Sequence, residues 1–273
     1  MIIHSLYKDF FQFLDRITPQ ADKWALYNAH YYQIHQEFLD RYFSHFPLID
    51  FSNIKERVEA IRPEDYSQQR SLISVCQPEP MIKKAYERCT SIIVPKEKLT
   101  VYLFIGFFSP DGFVMDFEGK PIICFGLERF KDFNLLKILF AHEYAHFLLN
   151  LSRGEVPEDE KFKWLLLSEG MSTYFSQLVF PEYKLSDHFL FRRARLNWCQ
   201  EKESYLREIY CSGKYSSQQL IDFYKKGNAE LDLPPNTGKY LGFLAVEKYI
   251  NKHRNKDVSS LFDDKNKILS LKI

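Results

Sequence analysis

The sequence predicts a mainly helical α+β protein in which a small antiparallel sheet packs on a helix carrying two histidines, with a helical lobe ahead of both. Three observations lead there. Most of residues 4–92 runs at the helical period between proline breaks. Residues 99–125 alternate at the extended period between Gly-containing turns. Residues 133–151 form an apolar run that no proline interrupts. The change of period sets the domain boundary, giving a helical lobe over residues 1–95 and a second domain over residues 96–273.

The lobe reads as two helices over residues 4–47, broken at Thr18-Pro19-Gln20, followed by helices over residues 54–61 and 80–92. His30, His35 and His45 are spaced by five and ten, which does not align them on one helical face, and they are assigned no function. After Pro95, residues 99–105 are β-branched and aromatic and end at Ser109-Pro110-Asp111-Gly112, a turn sequence. Residues 113–117 and 121–125 flank Glu118-Gly119-Lys120 and predict a hairpin. A helix follows over residues 133–151, then a loop over residues 152–159, and then a second apolar helix around Trp164 to Phe175. Helices over residues 186–210, 217–226 and 239–253 complete the chain. Arg192, Arg193 and Arg195 share the first of these with Glu201, Glu203 and Glu208, the pattern of a solvated mixed-charge face.

Composition narrows the functional classes. With 273 residues and 45% hydrophobic content the chain is long enough for one or two packed domains. Lys+Arg of 37 against Asp+Glu of 36 leaves a net charge of +1, so no global field favours nucleic acid or an anionic membrane. The five cysteines are scattered with no C-x-x-C pair, and the first ten residues lack the pattern of a secretory signal; the expected compartment is the cytoplasm. The most apolar window, residues 132–151, contains Asp132, Lys137, His142, Glu143 and His146, too many polar groups for a lipid-facing span.

The chemistry concentrates in Ala141-His142-Glu143-Tyr144-Ala145-His146. Residues four apart on a helix stand one turn above each other, so His142 and His146 can both direct an imidazole nitrogen to one metal ion at about 2.0–2.1 Å. Glu143 lies about 100° round the helix, beside the metal without ligating it, where a carboxylate polarises a metal-bound water. A tetrahedral zinc with an open position needs one more protein ligand. Glu169, twenty-two residues past His146 on the second apolar helix, is the candidate, and the set implies one zinc per chain.

His142-Glu143-x-x-His146 followed by Glu169-Gly170-x-Ser172-x-Tyr174 resembles the gluzincin clan of zinc peptidases, which includes thermolysin and the zinc aminopeptidases. The hairpin upstream and Gly238-Lys239-Tyr240-Leu241-Gly242 downstream resemble a family of predicted zinc-dependent proteases within that clan. The resemblance spans residues 100–249. It implies a metallopeptidase acting on a peptide or protein substrate, with Glu143 as general base. It also implies an extended substrate paired along Ile122-Ile123-Cys124-Phe125-Gly126. Such enzymes meet the developing oxyanion with a Tyr or His outside the metal motif, and Tyr240 at a helix start between two glycines is the candidate, with His188 and Tyr174 in reserve. Glu128, which could hold a free amine, and Arg129, which could hold a carboxylate, leave exopeptidase and endopeptidase both open. The competing expectations are a binding or regulatory protein that keeps the fold without cleaving peptides, and a metal-free helical module in which the motif is accidental.

Overall fold

The computed structural model describes residues 1–46, 51–107, 110–151, 155–253, 258–262 and 265–273. It is mainly helical with one small sheet, and it divides into two compact units: Met1–Lys84 with Pro95–Lys137, and Ala85–Val94 with Ile138–Ile273. The change of period read at residue 95 is the point where the chain returns to the first unit.

The first unit holds the sheet: β1 (Ile2–Ser5), β2 (Thr100–Phe104), β3 (Phe113–Phe117) and β4 (Lys120–Gly126) in the order β1-β2-β4-β3. The hairpin of β3 and β4 is antiparallel, pairing Phe117 with Lys120 across Glu118-Gly119, both of which have positive φ. The sheet as a whole is mixed, not antiparallel as expected. β4 pairs parallel to β2, and β1, which sequence reading placed at the start of a helix, pairs parallel to β2 with Ile2 opposite Thr100. Four residues are too short a stretch for their period to distinguish strand from helix, and only the partner strand decides.

Aromatic side chains bind helices to this sheet. Phe38, on the helix Gln36–His45, stacks on Tyr102 of β2 with centroids 4.2 Å apart. The buried Tyr31 phenol donates to the Ile105 carbonyl at 2.9 Å and accepts from the Ile105 amide at 3.2 Å, so the backbone leaving β2 is satisfied by a side chain. The long helix expected over residues 21–46 is Lys23–Tyr27, a π-helical turn at Asn28–Tyr32, a 3-10 turn and then Gln36–His45. The helix Ser67–Cys76 was not foreseen. Ser109, in the turn expected after β2, and residues 152–154 of the expected loop lie outside the described residues.

In the second unit four helices matter: α1 (Leu136–Leu151, which begins two residues ahead of the unit), α2 (Lys161–Val179), α3 (Ser217–Lys226) and α4 (Gly238–Lys252). α1 is apolar on nearly every face and almost fully buried, with Phe140, Tyr144 and Phe147 among the largest enclosed side chains. Between α2 and α4 the single helix expected over residues 186–210 is three: Leu185–His188, Arg193–Glu201 and Glu203–Cys211. The first break coincides with a left-handed Leu190 and the second with a non-helical Lys202. The arginines and glutamates are thereby divided: Glu203 pairs with Arg207 one turn on, and Arg195 lies over the Phe191 ring.

α2 and α4 pack backbone to backbone. A Cβ on Gly242 would stand 1.8 Å from the Leu166 carbonyl oxygen, and one on Gly170 would stand 2.2 Å from the Gly242 carbonyl carbon. Both obstacles are main chain and cannot rotate away. Gly242→Ala is therefore expected to destabilise the protein by about 2–3 kcal/mol. A thermal melt should read that as a fall of roughly 5–10 °C for a unit of this size. A midpoint unchanged within about 1 °C would show that the crossing yields freely.

Candidate metal centre

The close crossing of α2 and α4 is what assembles the site. Glu169 directly precedes Gly170 on one helix, and Lys239 lies one turn ahead of Gly242 on the other, so contact between the glycines brings the two side chains together. The Lys239 ammonium, almost fully enclosed, stands 3.1 Å from Oε2 of Glu169, whose side chain is 20% exposed. From α1, His142 Nε2 lies 3.4 Å from Glu169 Oε2 and His146 Nε2 lies 3.5 Å from Glu169 Oε1, while the two imidazole nitrogens are 3.2 Å apart. His142, His146 and Glu169 are the three-residue group, among the described residues, whose donor atoms converge as a metal would require.

Those distances test whether zinc fits. Donors at 2.0–2.1 Å from a tetrahedral ion are separated by about 3.3–3.4 Å along each edge. The 3.2 Å between the two imidazole nitrogens is close to one such edge, and the carboxylate bridges the pair, with Oε2 of Glu169 3.4 Å from His142 Nε2 and Oε1 3.5 Å from His146 Nε2. Two imidazoles and a carboxylate are also ligand types that zinc accepts. The residues fit the ion. Two features depart from a hydrolytic site. His142 Nδ1 is buried without a hydrogen-bond partner, whereas a ligating histidine ordinarily fixes its ring through that nitrogen. Lys239 Nζ is 3.5 Å from His142 Nε2 and 3.1 Å from Glu169 Oε2, so a cationic side chain already stands beside two of the three donor residues.

Electrostatics follow from enclosure and from that lysine. Burial, helped by the Lys239 charge, pushes the His142 imidazole down to about 3, so it is neutral, the form that ligates metals. For His146 burial acts downward too, but the hydrogen bond and charge of Glu169 outweigh it and raise the value. Burial would raise the Glu169 carboxyl; Lys239 first, then the two imidazoles, overcome this and hold it well below the usual carboxylate range. Glu143 is pushed up to about 7 by burial. Tyr224 of α3 is raised well above the ordinary phenol by burial and by the charge of Glu169, which its hydroxyl faces.

Sequence reading brought His142, His146 and Glu169 together with Glu143 beside them. It missed Lys239 and Tyr224. The glycines flanking Tyr240 do not serve to make room for a phenol above the site: Gly242 serves the crossing with α2, and Gly238 packs against Leu166, Tyr210 and Tyr224. Tyr240 itself is buried beside Phe189 among apolar side chains, and the charged groups nearest its phenol are Glu203, Glu247 and Arg207, not the metal-site residues. Of the reserves, His188 Nδ1 is 3.1 Å from Ser176 Oγ and Tyr174 packs on Phe243; neither belongs to the converging group. Glu128, Arg129 and strand β4 fall in the first unit.

A lipoprotein family model described as "Gliding motility protein GldB" matches residues 140–271, a little under half of the chain, and its span contains His142, His146, Glu169, Tyr224 and Lys239. No curated protein and no solved structure gives a significant match. This match overturns the resemblance to gluzincin metallopeptidases: the family found across those very motifs is a motility family, not a peptidase one. The peptide-hydrolysing function, the assignment as a metalloprotease enzyme and the hydrolase classification fall with it. The physical reason is that H-E-x-x-H with a distant glutamate encodes three convergent donors on two helices, a geometry that holds a metal whether or not anything is cleaved.

Tyr224→Phe removes the hydroxyl that faces Glu169 while keeping the ring. Loss of such an outer partner is expected to weaken zinc binding about tenfold. Competition against a chromophoric chelator measures this, and equal affinities for parent and variant would remove Tyr224 from the site.

Proposed function

We propose that residues 138–273 form a metal-holding, non-hydrolytic module that serves surface motility in the manner the GldB family's description names. One zinc on His142, His146 and Glu169 would clamp α1 to α2. The observation that carries this is the convergence of two imidazole nitrogens 3.2 Å apart with one Glu169 oxygen facing each, and with the Lys239 ammonium 3.1 Å from Glu169 Oε2. The extent of the family match, residues 140–271, supports it by covering every one of these residues. The metal would supply a cross-link between helices, and the chain's part is to orient the three donor side chains towards it. The proposed partner is a protein, since a net charge of +1 provides no attraction to nucleic acid or anionic lipid.

No helix among the described residues is long and apolar enough to cross a membrane. We retain the cytoplasm as a proposal on the five free cysteines, of which Cys89, Cys124 and Cys199 are buried. Fractionation of cells tests it: recovery of the protein in the membrane pellet would instead favour an anchored form, as the lipoprotein family would suggest.

Metal analysis of the purified protein should find one zinc per chain, and His146→Ala or Glu169→Ala should release it. Zinc loading should raise the thermal midpoint, because an ion that binds the folded state alone stabilises it by mass action. Peptide and protein substrates should remain intact with zinc at saturation. A protein that stays metal-free in excess zinc, or one that cleaves peptides with Glu143 required, would overturn this reading.

A further inference from the structure

Lys239 is an unusual residue to find in this place. Lysine is almost never fully enclosed unless it is paired, yet Lys239 is 5% exposed, inside a helix whose neighbouring residues Tyr240, Leu241 and Phe243 are core. Its ammonium contacts one carboxylate oxygen and one imidazole nitrogen, both of them candidate metal donors. An ammonium and a zinc ion ask the same thing of Glu169, a full negative charge directed at a cation in a low-dielectric site. They also repel each other at the distances this cluster imposes.

Resting on the metal-centre reading above, we infer that Lys239 is the resident counter-ion of the site: it neutralises Glu169 when no metal is bound, and it sets how tightly the metal is held by having to yield that carboxylate when zinc enters. The residue is thus a positioning residue for the ligand Glu169 and a determinant of affinity. The metal-free protein keeps its buried carboxylate paired and stays folded, unlike small metal modules that unfold without their ion. The cost of that insurance appears as weaker metal binding. A neutral side chain of similar length at position 239 separates the two effects, because it deprives the apo protein of a partner for Glu169 while relieving the loaded site of a like charge.

The experiment compares parent, Lys239→Met and Lys239→Gln by thermal melting without metal and by zinc affinity in chelator competition. Both variants should melt lower than the parent in the metal-free state, and both should bind zinc tighter by about tenfold or more, since charges about 4 Å apart interact strongly at interior dielectric values. If Lys239→Met does not fold, Lys239→Gln supplies the measurement. The double variant Glu169→Gln/Lys239→Met, which removes both charges, should recover much of the lost apo stability. Zinc bound by the parent but no tighter by the folded variants overturns the counter-ion role and leaves the metal centre standing. Failure of parent and variants alike to bind zinc removes the metal centre, and this inference with it. Unchanged metal-free melting in both variants shows that Glu169 never depended on the lysine.

Discussion

The second unit depends on one contact, the meeting of α2 and α4 at Gly170 and Gly242. Two helix backbones can touch only where neither residue carries a Cβ, and here even an alanine would drive a methyl into a carbonyl group. Because main chain meets main chain, the residues on either side are fixed in space to within fractions of an ångström. Glu169 and Lys239 are those residues. Their pairing is a consequence of where the helices must cross, and the buried ion pair in turn provides the charge arrangement that draws in the two imidazoles of α1.

A cluster of five ionisable side chains, His142, His146, Glu169, Tyr224 and Lys239, largely withdrawn from water is costly to assemble unless the charges compensate. Here they do so within the cluster: Glu169 is held ionised by Lys239 and the imidazoles, His142 is kept neutral by burial and by Lys239, and Tyr224 directs its hydroxyl to the carboxylate. Enclosure is supplied by α1, whose apolar surface faces protein on nearly all sides. The enclosure is not complete, since the side chains of His146 and Glu169 keep an exposed edge.

The same three-donor motif can therefore stand in proteins with different tasks. The convergence of two histidines and a glutamate states that a cation can be held; what happens at the cation is decided by the fourth direction and by access to it. In this chain an amine from α4 stands 3.5 Å from His142 Nε2, although the two residues are 97 apart along the sequence. The resemblance to peptidases rested on the two zinc motifs, the upstream hairpin and Gly238-Lys239-Tyr240-Leu241-Gly242, and the family match across residues 140–271 overturned it.

By itself the sequence determined the mainly helical class, the β3–β4 hairpin, both motif helices and the convergence of His142, His146 and Glu169, because helical spacing, turn chemistry and ligand periodicity are local properties. It could not determine that Ile2–Ser5 is a strand, since that short segment takes its conformation from a partner about a hundred residues away. Nor could it select Tyr224 from 17 tyrosines or mark Lys239 as buried, for a lysine at a helix start reads as solvated until the packing of its helix is known. Two glycines spaced across α2 and α4 were visible in the sequence, but their mutual contact was not. Only the tertiary structure brought them together, and with them the Lys239 ammonium beside Glu169.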